Sequence, residues 1–150
     1  MVNSVYGVSL KFAYDRFQYD GSNLATSFYR VGAEAVVNVS KLLNTSFNRR
    51  RTVEIQAHGG VGLSLVQSKA NPEIDRIGNI ILGIRPMFKI SNSIALTTDL
   101  SYIVNIRQHY GYGGESFFSS EPDGLTGGFI NFSVGLNFYF GEKRFHADWY

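Results

Sequence analysis

The feature that most restricts how this chain can fold is a regular alternation of apolar residues with small or polar ones. The first run places Tyr6, Val8, Leu10, Phe12 and Tyr14 on one side and Gly7, Ser9, Lys11, Ala13 and Asp15 on the other. Successive side chains of a β-strand point to opposite faces, so a period of two predicts a strand with one apolar face. Similar runs cover 29–39, 53–65, 79–88, 94–106 and 130–140, although Ile81 and Met87 interrupt the fourth. The sequence therefore predicts six strands and an all-β fold.

The length of these runs indicates what the apolar face touches. They are about 11 to 13 residues long, whereas strands of globular proteins usually have about 5 or 6. At about 3.3 Å per residue and a tilt near 40°, 11 residues rise roughly 27 Å, close to the apolar band of about 25 Å in transmembrane barrels. The runs are long enough to cross an outer membrane.

The second face of the strands distinguishes a membrane barrel from a soluble one. A soluble lipocalin-like barrel also alternates, but its apolar face lines the ligand cavity and its charged face meets water. Here the second face is rich in glycine, serine, alanine and asparagine, and only 17% of all residues are charged. Small polar side chains suit the interior of a narrow barrel. We therefore expect an antiparallel up-and-down transmembrane β-barrel, with a soluble binding barrel as the least favoured alternative.

Charged residues on the second face are expected to pair across neighbouring strands. A hairpin turn centred between Ser22 and Asn23 places Lys11 opposite Glu34 and Asp15 opposite Arg30, and a turn centred on Asn92 places Arg85 opposite Asp99. Unpaired charges inside a barrel are costly, so we expect these residues to form a buried polar network. With Glu54 and His58 from the intervening strand, its predicted members are Lys11, Asp15, Arg30, Glu34, Glu54, His58, Arg85 and Asp99.

Composition argues against several other kinds of site. The chain has no cysteine, which removes disulfides, thiol nucleophiles and cysteine-based metal sites. Its net charge of +2 and scattered basic residues do not predict a nucleic-acid surface. The three histidines are far apart in sequence and lack metal-ligand spacing. We expect no metal, no cofactor and no nucleic-acid partner.

Two groups of residues resemble parts of a catalytic site. His146 and Asp148 are two residues apart, but they follow the last apolar run, which favours an exit from the membrane over a site. His109 shares a predicted outer loop with four residues that could assist catalysis: Ser119, Ser120, Glu121 and Asp123. Nothing in the pattern fixes a nucleophile beside a base, so a glycine- and serine-rich loop is the preferred interpretation and an outer-membrane enzyme the alternative.

Seven short segments, spread through nearly the whole chain, carry a family resemblance. They are FYRV at 28–31, VVNV at 36–39, AHGGVG at 57–62, GNIILGIRP at 78–86, ALTTDLS at 95–101, RQH at 107–109 and HADWY at 146–150. Together they resemble the membrane domain of OmpA-like outer-membrane proteins from Bacteroidetes. The resemblance implies an eight-stranded barrel followed by a linker and a periplasmic domain that binds peptidoglycan.

The family has eight strands in its barrel, whereas six are predicted in this chain. The resemblance therefore implies that the first two strands and the peptidoglycan domain are absent from this chain. Residues 1–141 would then be the last six strands of the barrel, and 142–150 the start of a periplasmic linker. The resemblance also implies a periplasmic C-terminus. Three connections would then face the outside of the cell: 18–27, 67–76 and 108–127. The other two, 40–52 and 89–93, would face the periplasm.

The resemblance also implies a function and a set of partners. The expected role is a non-enzymatic anchor between outer membrane and cell wall, or a subunit of a larger outer-membrane complex. Its partners would be outer-membrane lipid and lipopolysaccharide, and possible protein neighbours in that complex. Peptidoglycan would be bound only through the absent domain. A narrow pore is an alternative, ranked lower because paired charges would block an eight-stranded barrel.

Overall fold

A computed structural model describes residues 5–18, 25–43, 52–69, 71–112, 116 and 123–138 of the chain. These residues form six strands and one short helix. The elements are β1 (Tyr6–Gln18), β2 (Ala25–Asn38), α1 (Val39–Leu42), β3 (Val53–Ser68), β4 (Asn71–Lys89), β5 (Ile94–Gln108) and β6 (Leu125–Phe138). The all-β prediction is confirmed.

The strands form one antiparallel sheet in which each strand pairs with its neighbours in sequence, in the order β1 to β6. The sheet is curled into half of a barrel. The curl is strong enough for side chains to meet across the inner face: the rings of Phe17 on β1 and Phe129 on β6 lie 5.5 Å apart. Within the described residues, β1 and β6 are the two edge strands.

The two faces of the sheet have opposite chemistry. Large apolar side chains cover the convex face and are exposed, among them Leu10 (81%) and Ile130 (72%). On β2 to β5 the concave face is mostly buried and carries charged or ionisable side chains, including Glu34 (2% exposed) and His58 (5%), whereas on the edge strands β1 and β6 it is more exposed. The predicted assignment of residues to faces is confirmed for the described strands. Ile81 and Met87, which interrupt the alternation, belong to the buried face and give it some apolar packing.

The register between β1 and β2 corrects the sequence prediction. Lys11 lies opposite Gly32, and Glu34 lies opposite Ser9, a shift of two residues from the predicted pairing. A shift of two leaves every side chain on its predicted face, since the period of a strand is also two. Between β4 and β5 the pairs Ile84–Leu100 and Met87–Thr97 agree with the predicted register.

Strand ends also differ from prediction. The predicted connection 67–76 is mostly strand, because β3 and β4 continue to pair as far as Ser68 and Asn71. Pro72 lies at the tip of this hairpin, where a missing N–H is tolerated. At the other end, Val39 was predicted to continue the second strand but begins α1, whose N-cap Asn38 accepts a hydrogen bond from the Lys41 N–H at 3.1 Å.

In the part of the chain that the structure describes, no helix has the length and apolar character needed to traverse a membrane. The only helix described there, α1, has four residues. It follows β2 directly, and the Ser40 hydroxyl accepts a hydrogen bond from the Ile55 N–H of β3 at 2.9 Å. This hydrogen bond therefore holds the helix, and with it the start of the β2–β3 connection, against the sheet.

Candidate functional site

Five strands each contribute one ionisable side chain to a cluster on the concave face. This central cluster consists of Lys11, Glu34, His58, Arg85 and Asp99. Lys11 Nζ lies 2.8 Å from Glu34 Oε2 and 3.4 Å from Asp99 Oδ2. Arg85 donates from both Nε and Nη2 to Asp99 Oδ2, each at 3.0 Å. The predicted ion pairs Lys11–Glu34 and Arg85–Asp99 are both present in the structure.

His58 connects the two carboxylates at the centre of this cluster. Its Nδ1 lies 2.7 Å from Glu34 Oε2, and its Nε2 lies 3.2 Å from Asp99 Oδ2. Its side chain is fully buried. The imidazole thus lies between β2 and β5, with one ring nitrogen within contact distance of each carboxylate.

Gly83 and Ser101 support the cluster, and sequence reasoning did not single them out. A Cβ built on Gly83 would lie 2.5 Å from the His58 ring, so this glycine leaves the space that the imidazole occupies. The Ser101 hydroxyl donates a hydrogen bond to Asp99 Oδ1, the oxygen that Arg85 does not contact. The cross-strand position of Gly83 opposite His58 is the signal that could have identified it.

The third predicted pair, Asp15–Arg30, is also present. Arg30 Nη2 lies 3.2 Å from Asp15 Oδ2, and the guanidinium carbon lies 5.6 Å from the centre of the Phe129 ring. A cation over an aromatic face gains electrostatic stabilisation, so Arg30 is held from two sides. The pair therefore lies beside Phe129, one of several aromatic side chains at this end of the concave face.

Glu54, the remaining predicted member, lies elsewhere on β3. It is buried and accepts a hydrogen bond from the side-chain amide of Asn38, the N-cap of α1. It precedes His58 by four positions on β3, roughly 13 Å along the strand. Its described hydrogen bond therefore fastens α1 to β3, a different place from the central cluster.

A series of side-chain hydrogen bonds that the sequence did not predict crosses three strands, between the central cluster and the β3–β4 hairpin. The Ser64 hydroxyl donates to Asn79 Oδ1 at 2.6 Å, and the Asn79 amide donates to Asn105 Oδ1 at 2.8 Å. Asn105 in turn donates to Gln108 Oε1 at 2.9 Å. All four residues are buried, so each amide has a partner where water is excluded.

His109 lies in the connection between β5 and β6, as predicted, and its side chain is buried there. Its Nδ1 lies 3.0 Å from Asp75 Oδ1, and its backbone N–H donates to Asp75 Oδ2 at 2.6 Å. Asp75 was not singled out in the sequence, because it precedes His109 by 34 residues. Of the other predicted loop residues, Asp123 is exposed. Ser119, Ser120 and Glu121 lie outside the described residues, as do His146 and Asp148.

The concave face encloses a polar cavity of about 660 Å³. Its lining comes from β1, β2, β4, β5 and β6 and includes Lys11, Asp15, Arg30, Glu34, Arg85 and Asp99. Three positive and three negative side chains therefore border it, and each has an opposite charge within 3.4 Å. The described residues contain no group of three or more His, Asp or Glu side chains arranged to hold a metal ion. The arrangement is suited to fill an interior and to fix neighbouring strands.

Fold and site together define a curled antiparallel half-barrel with a polar, ion-paired concave face and an apolar convex face. The chain was compared with protein-family models, curated proteins and solved structures, and none of them matches it.

Proposed function

We propose that this chain is the membrane-embedded part of an OmpA-like outer-membrane protein and serves as a non-enzymatic anchor, or as a structural subunit of a larger outer-membrane complex. One observation carries the proposal: the polarity of the sheet is inverted relative to a soluble protein. Leu10 on the convex face is 81% exposed, while Glu34 on the concave face is 2% exposed.

The inversion is an energetic argument for lipid. Exposed apolar patches on soluble monomers rarely exceed a few hundred Å². Here large apolar side chains are exposed on all six strands, for example Phe12, Val31, Leu63, Leu82, Leu100 and Phe132. Each would lose about 1.5–3 kcal/mol of favourable burial if left in water. Hydrocarbon removes that penalty, and lipid and lipopolysaccharide acyl chains are the proposed contacts of this face.

Contacts across the concave face support a barrel of eight strands. Lys11 on β1 reaches Asp99 on β5, four strands away in the sheet order. Strands four positions apart form opposite walls of an eight-stranded barrel, whose interior is just wide enough for side chains to fill. Because lipid offers no hydrogen bonds to an open edge, two further strands between β1 and β6 complete the proposed barrel.

The anchoring role extends the family resemblance. In this proposal the segment after the last strand leads into the periplasm, and a domain outside this chain binds peptidoglycan. Internal ion pairing supports an anchor over an enzyme, since the charged groups hold one another and not a substrate.

Detergent extraction of the full-length protein tests the proposal. The membrane fraction should retain it through salt and alkaline washes and release it only into detergent. The unheated protein should also migrate differently from the boiled one on a denaturing gel, because closed barrels resist unfolding. A freely soluble monomer in detergent-free buffer contradicts the proposal.

A narrow pore is the second candidate, favoured by the polar cavity of about 660 Å³. The central cluster argues against a steady pore, because Lys11, His58 and Arg85 converge on the two carboxylates from different walls. An ion passing this level would have to displace paired charges from one another.

A further inference from the structure

The chain turns inward at the end of β5. Arg107 has a φ of 62°, in the left-handed region that non-glycine residues rarely adopt, and a register shift falls between Asn105 and Gln108. Gly124, with a φ of 75°, packs against this bend, since a Cβ there would lie 2.8 Å from the Arg107 Cα. The bend directs 108–110 into buried positions. Residues 107–112 are called the inner segment below.

Polar contacts hold the inner segment to two strands. Asp75 on β4 accepts the backbone N–H of His109 and contacts its ring. The Tyr110 hydroxyl donates to the Glu73 carbonyl at 3.1 Å. From β2, the Thr26 hydroxyl donates to the Gly111 carbonyl, also at 3.1 Å. Two of these bonds use the segment's own backbone, the His109 N–H as donor and the Gly111 carbonyl as acceptor, so they specify its path.

Aromatic and aliphatic side chains also pack against the inner segment. Tyr110 is fully buried with Phe28, Val66 and Ile77. Tyr112 stacks on Phe28 with ring centroids 5.8 Å apart. Tyr112 also meets Phe17 at 5.0 Å and Phe129 at 6.0 Å, and these two lie on the edge strands. The aromatic layer therefore extends from one edge of the sheet to the other.

Burial changes the chemistry of the Tyr110 phenol. Burial raises the pKa of Tyr110, and the nearby carboxylates of Glu73 and Asp75 raise it further. The phenol therefore stays a neutral donor, as its hydrogen bond to the Glu73 carbonyl requires.

We propose that the inner segment is a stopper: a strap that covers the end of the concave face near the β3–β4 hairpin and that can detach without the strands unfolding. Within the segment, Gln108 takes part in the strand ladder, opposite Leu125. The hydrogen bonds of His109, Tyr110 and Gly111 come from side chains and loop backbone, so the rest of the ladder does not depend on them. The unfavourable φ of Arg107 opposes docking, so the docked form is held by its contacts. When docked, it separates the ion pairs beneath from solvent at that end. This conformational device goes beyond the anchoring role and does not require a membrane.

Trypsin cleavage after Arg107 tests the stopper directly. Arg107 is the single Lys or Arg between Lys89 and Lys143, so cleavage there gives a unique fragment. A protease needs an extended, accessible segment around the bond, and 108–110 are buried. Full-length folded protein should resist cleavage at Arg107. Asp75→Ala should be cleaved at least tenfold faster, and Tyr110→Phe, which loses one hydrogen bond, at an intermediate rate.

Ile74→Ala is the matched control, because Ile74 adjoins Asp75 but lies on the convex face at 56% exposure. Its cleavage rate should equal that of the wild type. Far-UV circular dichroism shows that each variant is folded, whether or not the protein is a membrane barrel. If Asp75→Ala does not fold, Tyr110→Phe decides the question. Rapid cleavage of folded wild type, or wild-type rates in both folded variants, overturns the stopper. Solubility is measured separately, so the outcome does not depend on the proposed function.

Discussion

Lys11 Nζ lies 3.4 Å from Asp99 Oδ2 although their strands, β1 and β5, are separated by three others in the sheet. The contact crosses the concave face and joins two charges that no single hairpin could bring together. It also makes Asp99 the meeting point of three basic side chains, Lys11, His58 and Arg85. The stability of the curled sheet should therefore depend strongly on this one carboxylate.

Asp99→Asn removes the charge and keeps the shape of the side chain. Three basic groups then face a neutral amide, and breaking buried charge pairs by removing one partner costs about 3–5 kcal/mol. We expect a loss near the lower end, about 3 kcal/mol, because Asp99 borders the cavity and its side chain is 10% exposed. Urea titration of the gel-mobility shift in lipid vesicles measures it.

Asp123→Asn is the control for that experiment, since Asp123 is exposed. It should change the free energy of unfolding by less than about 0.5 kcal/mol. Adding Arg85→Gln to Asp99→Asn should recover part of the loss, because fewer unpaired charges remain. Equal stability of Asp99→Asn and Asp123→Asn contradicts a structural role for the cluster.

Gly83→Ala should displace His58. The added methyl group would lie 2.5 Å from the ring and 2.8 Å from the Ser101 hydroxyl, and overpacking of this kind costs about 1–3 kcal/mol. Gly135→Ala on β6 is the matched control, because a Cβ there meets nothing within 4 Å. The same unfolding assay applies. In a His58→Ala background the cost of Gly83→Ala should largely disappear, which attributes it to the ring.

A charge on the convex face tests contact with lipid. Leu82 is 61% exposed near the middle of β4, and Leu82→Arg should cost about 2–4 kcal/mol if hydrocarbon surrounds it. Ile74→Arg, on the same face near the start of β4, should cost no more than about 1 kcal/mol, since the penalty falls towards the membrane interface. Unfolding in vesicles compares the two. Equal, small effects would falsify a membrane-facing surface.

Planar-bilayer recording compares the anchor with the pore. Because the central cluster spans the concave face, the reconstituted full-length protein should give no steady, large conductance. Arg30→Met, outside the cluster, is a suitable control and should also remain closed. A steady conductance in the wild type would reverse the order of the two proposals.

Hairpin geometry illustrates how far the sequence reaches. The short turn around Asn92 places β4 against β5 in the predicted register, and Arg85 meets Asp99 as expected. The β1–β2 register is two residues from its prediction, and yet Lys11 still meets Glu34. A long lysine side chain reaches diagonally across a strand pair, so the ion pair does not depend on exact opposition.

The inner segment shows where sequence reasoning ends. His109 and Tyr110 follow the fifth alternating run, which led to the prediction of an outer loop. Their burial depends on the bend at Arg107 and on Asp75, and neither has a local sequence signal. Similarly, no residue near Gly83 in the sequence indicates that Gly83 lies opposite His58.

The sequence by itself determined which residues form strands and which face each side chain occupies, because a period of two is a local property of the chain. The tertiary structure alone decided which distant groups meet: Lys11 with Asp99, His58 with both acids, and Tyr110 with Phe28. Those contacts depend on the curl of the sheet. Curl is a collective property of six paired strands, so no single segment encodes it.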